Sequence, residues 1–305
     1  EAARALAAFY VRQENFSSAM HFFNECVRLN PIFGADWFTL GYTAMKLGNW
    51  ARAAEAYTRV CQIDPDSSSG WNNLAVCLIR SKKYRPALHA LSQALKFDRS
   101  SWPMWQNHFS LAVELHEIST AMCSLESLAG IGGRKVEHDK ETLMKFTADF
   151  AEYFNGLHHE LFHLSPTQSE NSEKTDKAKY SEAFLERHAG RFENVLGRIC
   201  ADHPFDHELF LIAAHFLFSR GKFTDAIEYC HGEIRGLKSG NIDNNEDLQR
   251  KLLLAVLRII HLHTQNTEHP IKESDLGSFR SILHSTQELL GNSKEWEQIS
   301  AFVHS

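Results

Sequence analysis

Large and small apolar residues recur along this chain at helical spacing, and the whole pattern repeats every 34 residues. Trp37, Trp71 and Trp105 mark the repeat most clearly. The other columns hold leucine, small residues, aromatic residues, alanine and large apolar residues: Leu6, Leu40 and Leu74; Ala7, Gly41 and Ala75; Phe16, Trp50 and Tyr84; Ala19, Ala53, Ala87 and Ala121; Phe23, Tyr57, Leu91 and Leu125. These matching columns predict stacked pairs of helices, in which bulky residues fill gaps and small residues permit close approach.

Turn residues separate the helices of each unit. Gly48 with Asn49, and the segment 81–83, are typical of turns inside a unit. Pro65 between two aspartates indicates a turn between units, because proline stops one helix and Asp or Ser can cap the next. These signals predict four units, at residues 1–29, 34–63, 68–97 and 102–130.

Agreement with the repeat weakens from the fourth unit onward. There His108 replaces the leucine, Phe109 the small residue and Arg99 the closing proline. Farther on the period is lost, but helical patterns remain at 136–164, 180–201, 248–264, 276–290 and 294–303. One more degenerate unit follows Pro204, with repeat-like residues Phe210, Ala214, Gly221, Phe223 and Ala226. We therefore expect four repeats at 1–133, and degenerate repeats with capping helices at 134–305, including a flexible loop at 165–179.

The 34-residue pattern resembles the tetratricopeptide repeat. This resemblance implies an all-α fold, a right-handed superhelix of helical hairpins (an α-α solenoid) with degenerate C-terminal repeats. In such a stack the first helix of every unit lines the concave face. Side chains on that face are free to bind a partner, since the packing between hairpins does not require them.

The candidate groove residues are amides, cations and aromatics on the first helices of the second to fourth units. They are Phe38, Tyr42, Lys46, Asn72, Asn73, Arg80, Gln106 and Asn107. An amide donates and accepts, so the four amides suit the main chain of an extended peptide. The two cations extend a basic row that begins at Arg12 and suits an acidic segment, and the two aromatics suit an apolar anchor. Alternatively, the asparagines cap helices and the basic row is a solvated face.

Composition argues against several classes of partner. The net charge is −6 and no run of five Lys or Arg occurs, so we expect no nucleic-acid partner. No apolar run is long enough to cross a bilayer, so we expect no membrane partner. The six cysteines include no CxxC pair and lie among apolar residues, which favours a reduced protein of the cytoplasm or nucleus. The chain does not begin with Met and its first residues have a helical pattern, so we expect a piece of a longer protein.

One motif points to different chemistry. His159, Glu160 and His163 form the sequence HELFH, and on a helix two such histidines can bind zinc while the glutamate activates water. Against this interpretation, Pro166 follows the motif closely and no third ligand stands at the usual spacing. With 18 histidines in the chain, a chance match is also plausible. A zinc-dependent hydrolase remains the alternative, and the main expectation is no enzyme activity and no cofactor.

Three stretches resemble one narrower family. They are Asp36-Trp37-Phe38-Thr39-Leu40-Gly41, Trp71-Asn72-Asn73-Leu74 with Ile79-Arg80, and Trp102-Pro103-Met104-Trp105-Gln106-Asn107. They are similar to the tetratricopeptide repeat protein 27 family, whose fungal members are tied to cell-wall maintenance. The resemblance implies a non-enzymatic assembly adaptor, similar to a co-chaperone, that helps to build large complexes. We expect it to bind an extended or helical segment of a protein partner in the concave groove.

Overall fold

The computed structural model describes residues 2–131, 139–152, 182–238 and 246–265, with positions 277 and 280. All regular structure in these ranges is α-helical, as predicted. The chain divides into two compact units, Glu1–Ile131 and Gly132–Ser305. The predicted loop at 165–179 and the motif at 159–163 lie outside the described residues, as do the predicted helices 276–290 and 294–303 apart from the two single positions.

The first unit consists of four helical hairpins. Its helices are α1 (Ala2–Arg12), α2 (Phe16–Leu29), α3 (Gly34–Lys46), α4 (Trp50–Ile63), α5 (Ser68–Arg80), α6 (Tyr84–Phe97), α7 (Trp102–Glu114) and α8 (Ile118–Ile131). Each hairpin begins and ends within one residue of a predicted repeat. The 34-residue period therefore located the helices correctly, because the repeat and its turn residues act locally.

Contacts between successive hairpins arrange these helices in two layers. Arg4 of α1 forms a bidentate ion pair with Asp36 of α3, and both N–O distances are 2.8 Å. Ser68 of α5 lies 3.7 Å from the sulfur of Met104 in α7. On the other side, Arg52 of α4 donates to Asn24 of α2. The odd-numbered helices thus form one layer, called here the first-helix layer, and the even-numbered helices form the second-helix layer.

The three repeat tryptophans share one hydrogen bond. The indole N–H of Trp37 and that of Trp71 each donate over 2.8 Å to the carbonyl of the proline six residues earlier. Trp105 makes the same bond, 3.0 Å long, to the carbonyl of Arg99. The acceptor is a main-chain oxygen, which arginine supplies as well as proline does. The absence of proline at position 99 therefore does not break this link between consecutive hairpins.

The turn inside each hairpin contains one residue in the left-handed region. The φ angles are 57° at Glu14, 72° at Gly48, 57° at Lys82 and 53° at His116, and these positions are again 34 residues apart. Only Gly48 adopts this conformation without steric cost, because it has no Cβ. Asn15 and Asn49, next in the chain, accept hydrogen bonds from the amides of Ser18 and Arg52 and cap α2 and α4.

We therefore expect Lys82→Gly to stabilise the first unit by up to about 1 kcal/mol, because it removes the cost of a left-handed non-glycine residue. Urea denaturation followed by circular dichroism measures this difference. Lys82→Ala is the matched control, since it removes the same exposed side chain and keeps the Cβ. If both variants shift the midpoint equally, the left-handed conformation contributes nothing.

A close contact between paired helices requires a glycine in the second unit. The ring of Tyr57 lies so close to Gly41 that a Cβ there would be 2.8 Å from it. The next unit has the buried residues Ala75 and Leu91 in the same columns. Leu6, in the leucine column, is 45% exposed because the described residues include no hairpin before α1. The period therefore locates the column, and the neighbouring hairpin decides its burial.

The described helices of the second unit are α9 (Lys140–Glu152), α10 (Glu182–Asp202), α11 (His207–Ser219), α12 (Phe223–Lys238) and α13 (Glu246–Gln265). The predicted start of α9 at residue 136 was wrong. Asp139 precedes the helix and accepts hydrogen bonds from the amide and hydroxyl of Thr142, so it caps a helix that begins at Lys140. The turn between α11 and α12 uses Gly221 at φ 72°, as the repeat turns do.

Two apolar clusters hold the second unit together. Four aromatic rings from α9, α10 and α11 pack with centroid distances between 4.6 and 5.9 Å: Phe146, Phe150, Phe192 and Phe216. A second cluster joins α11, α12 and α13 and includes Leu217, Ile234 and Val256. The hairpin α11–α12 keeps the repeat columns, with Phe210 and Ala226 buried.

Candidate functional site

The predicted amide cluster lies in the first-helix layer, on α5 and α7. The Oδ1 atom of Asn72 is buried and has no hydrogen-bond partner. Both polar atoms of the Gln106 amide are likewise buried without a partner. A buried polar group without a partner costs about 1–3 kcal/mol, so such groups require an explanation. Because these atoms are enclosed, a bound segment does not reach them in this conformation.

Asn73 is half-buried and lies next to the core residue Tyr57. Burial raises the pKa of the Tyr57 hydroxyl, and the neighbouring Asn73 amide lowers it by less. That hydroxyl is fully buried and has no hydrogen-bond partner of regular geometry. Asn107, one repeat later, is exposed. The four amides thus lie at different depths, with polar atoms of Asn72 and Gln106 enclosed and Asn107 at the surface.

Tyr42 and Lys46 form one exposed patch on α3. The Lys46 ammonium lies 5.5 Å from the centroid of the Tyr42 ring, and Phe16 of α2 packs against the same ring edge-on at 6.3 Å. Tyr42 is still 40% exposed. The pair therefore offers an apolar surface beside a positive charge.

Phe38, which is predicted to hold an apolar anchor, is partly enclosed by its neighbours. Its ring packs edge-on against Tyr57, with 5.4 Å between centroids, and it is half-buried. Arg4, one repeat earlier, pairs with the buried Asp36. This column, which continues to Asn72 and Gln106, therefore lies against the neighbouring helices rather than at the rim.

Two cations of the basic row, Lys46 and Arg80, lie over aromatic rings. The Arg80 guanidinium lies 5.8 Å from the Trp50 ring centroid, while Lys46 lies over Tyr42 as described above. Both cations are exposed, and within the described residues neither forms an ion pair. Each charge is therefore available to an acidic group.

The sequence did not predict that His108 is a buried, hydrogen-bonded residue. His108 accepts or donates through Nε2 to the Ser92 hydroxyl at 2.8 Å and through Nδ1 to the Ser124 hydroxyl at 2.7 Å, and so links α6, α7 and α8. Burial lowers the pKa of His108 to about 4, so the imidazole is neutral at neutral pH. Its replacement of the repeat leucine was the only signal in the sequence.

The structure gives no support to the hydrolase alternative. His159, Glu160 and His163 lie outside the described residues. Within the part of the chain that is described, no three His, Cys, Asp or Glu side chains are grouped to hold a metal ion. In the same part, no helix is both long and apolar enough to cross a membrane.

Comparison with known sequences identifies the repeat. The family model "Tetratricopeptide repeat" matches residues 34–67. The chain is 28% identical over 205 residues to "Tetratricopeptide repeat-containing protein trd-1" of Caenorhabditis elegans. This match covers 66% of this chain and 24% of that protein. It is 32% identical over 135 residues to "Tetratricopeptide repeat protein 27 homolog" of Dictyostelium discoideum, covering 44% and 16%.

A third relative is "Essential for maintenance of the cell wall protein 1" of Saccharomyces cerevisiae, 28% identical over 39% of this chain and 13% of that protein. The chain thus spans no more than about a quarter of the length of these relatives. Among solved structures, the C-terminal part of a TPR repeat-containing protein from Cytophaga hutchinsonii gives a TM-score of 0.52 at 11% identity. That match covers 97% of this chain and 98% of the other and shows the fold alone.

Proposed function

This chain is a tetratricopeptide-repeat solenoid, and we propose that it is a non-enzymatic scaffold that binds an extended segment of a partner protein along its first-helix layer. The observation that supports the proposal is the exposed pair of Tyr42 and Lys46 on α3, with the half-buried Asn73 and the exposed Asn107 in the same layer. These side chains offer an apolar surface, a positive charge and amides that can pair with a bound main chain.

The chemistry of the surface supports an extended main chain as the ligand. Each peptide unit of such a segment presents one N–H and one C=O, and an amide side chain matches both. The Asn73 and Asn107 amides lie one repeat apart and would contact successive parts of the segment. Recognition through the main chain tolerates many side chains, as peptide binding by strand-like segments does.

Two further features would select among segments. Tyr42 is exposed enough to hold an apolar side chain, and Lys46 beside it would attract a carboxylate. Arg80 provides a second positive charge. We propose that the preferred segment carries an apolar residue flanked by acidic ones.

We further propose a role as an assembly adaptor for large complexes in the cytoplasm or nucleus, in the manner of the tetratricopeptide repeat protein 27 family. The similarity to the Dictyostelium homologue and the buried thiols support this proposal. No cofactor and no catalytic residue enter the proposed mechanism.

Asn73→Ala/Asn107→Ala should lose the specific partner set that co-purifies with the full-length protein from its own cells, because two contacts with the bound main chain disappear. Mass spectrometry identifies the set. Gln106→Leu should keep this set, because the amide is enclosed, and should raise the melting temperature, since it removes a buried amide that has no partner.

The matched control is Glu55→Ala/His89→Ala, which changes two exposed residues 34 positions apart on the second-helix layer. We expect it to retain the partners and the melting temperature of the unaltered protein. Retention of the full partner set by Asn73→Ala/Asn107→Ala would refute binding through the first-helix layer.

A further inference from the structure

A crevice of about 750 Å³ lies between α6 and α8, and none of the candidate groove residues lines it. Residues of α6 form one wall, residues of α8 the other, and α7 the floor. The lining residues that matter here are Lys96, Arg99, Trp105, Ser119, Cys123 and Ser127. This volume is within the range of roughly 300–1,000 Å³ that small ligands and anchoring side chains occupy.

Short side chains of α8 line the crevice where α6 has longer side chains in the same repeat columns. Thirty-four residues earlier, α6 has Arg85 where α8 has Ser119. The same comparison sets His89 against Cys123, and Gln93 against Ser127. The α8 residues that line the crevice thus have shorter side chains than their α6 counterparts.

Hydrogen bonds fix the floor of the crevice. The Ser92–His108–Ser124 chain crosses it and joins all three helices. The Trp105 ring beside it is held by its bond to the carbonyl of Arg99 and by an edge-on contact with His108 at 6.0 Å. The cavity is therefore preformed, which lowers the entropic cost of binding.

The charged side chains that line the crevice are both positive. Lys96 and Arg99 are both exposed, and no carboxylate is among the lining residues. Glu117, which lies beside the lining residue Thr120, is paired with Arg85 at 3.2 Å. The chain as a whole has a net charge of −6, so this positive patch differs from the average surface.

We propose that this crevice is a second docking site, and that it takes an acidic peptide segment which inserts a large apolar side chain beside the Trp105 ring. Lys96 and Arg99 hold the carboxylates of the segment, and the space left by Cys123 and Ser127 holds its apolar residue. None of the candidate groove residues lines this site, so one chain can hold two segments at once.

The probe is a fluorescent 18-residue helix-forming peptide with leucine and phenylalanine on one face and glutamate elsewhere, and its counterpart has lysine in place of every glutamate. Anisotropy titrations on the full chain should show binding of the glutamate peptide alone. Cys123, the one exposed cysteine of the six, reports occupancy independently, because the bound peptide should slow its reaction with a maleimide reagent.

The decisive variant is Cys123→His/Ser127→Gln, which installs the neutral side chains that α6 carries in the same columns and therefore suits the repeat. We expect it to weaken the glutamate peptide at least about tenfold with an unchanged melting temperature. Lys96→Gln/Arg99→Gln should weaken it similarly. Asn73→Ala/Asn107→Ala should leave it unaffected, which separates this site from the groove.

Three outcomes would overturn the proposal. They are absence of binding by the glutamate peptide, equal binding of the lysine peptide, and unchanged affinity of the Cys123→His/Ser127→Gln variant for the glutamate peptide. Binding that disappears only in the groove variant would assign the peptide to the first-helix layer instead.

Discussion

Replacing Arg258 by methionine should lower the free energy of unfolding by about 3–5 kcal/mol, because it leaves a carboxylate buried without its counter-charge. Arg258 of α13 donates over 2.5 Å to Oε1 of Glu233 in α12. Their side chains are only 6% and 2% exposed. The other carboxylate oxygen, Oε2, is buried and has no hydrogen-bond partner, so Arg258 is the main compensation for the charge of Glu233.

The pH dependence of this loss identifies its cause. Burial raises the pKa of Glu233, and Arg258 opposes that rise, so removing Arg258 should raise the pKa further. A carboxyl whose folded pKa exceeds its unfolded value binds more protons when folded, and its penalty grows as pH rises through the interval between the two. The stability difference between Arg258→Met and the unaltered protein should therefore shrink as pH falls from 7 toward 5.

Urea denaturation at several pH values measures this difference. The matched control is Lys251→Met, which removes an exposed cation paired with Asp247 on the same helix and should cost less than about 1 kcal/mol. Glu233→Met/Arg258→Met should recover most of the stability, since no charge remains buried. A loss in Arg258→Met that is no larger than the control loss would contradict the assignment.

Gly232→Ala should destabilise the second unit by about 1–3 kcal/mol, although alanine normally favours a helix interior over glycine by about 1 kcal/mol. An added Cβ would lie 2.2 Å from Cδ1 and 2.3 Å from Cε1 of the Phe210 ring. Phe210 is buried and also packs against Tyr229 at 6.0 Å, so its ring has little room to move. Overpacking should therefore outweigh helix propensity.

Gly190→Ala is the control for propensity, because a Cβ at that position of α10 meets no atom within 4 Å. It should be neutral or stabilising in thermal and urea denaturation. Phe210→Leu in the Gly232→Ala background should cost less than Phe210→Leu alone, since the smaller side chain relieves the clash. Equal stability of Gly232→Ala and Gly190→Ala would show that the ring yields freely.

Position 233 shows why the sequence did not reveal this ion pair. Glu233 stands in the repeat column that holds Val60, Ala94 and Leu128, all of them buried. The column therefore predicts burial at this position, and a glutamate there requires a partner. The partner comes from α13, which has no repeat counterpart, so no spacing rule connects positions 233 and 258.

In the candidate groove, too, the sequence predicts the position of residues and the structure decides their burial. The sequence located the amides of α5 and α7 on the first helices, and the structure agrees with that placement. It did not separate Asn72 and Gln106, whose polar atoms are enclosed, from the exposed Asn107, because depth depends on the adjacent hairpin. Their role in binding stays a prediction.

The sequence by itself determined the helices, their pairing in hairpins and the turns, because these depend on local spacing, capping and backbone conformation. It also determined that the repeats are tetratricopeptide repeats, since whole columns recur at a fixed period. Only the tertiary structure decided which polar groups lack partners, which charges are buried together and where a crevice opens between α6 and α8. These properties arise where side chains from different helices meet, and their energies depend on distance and enclosure, which a linear pattern does not specify.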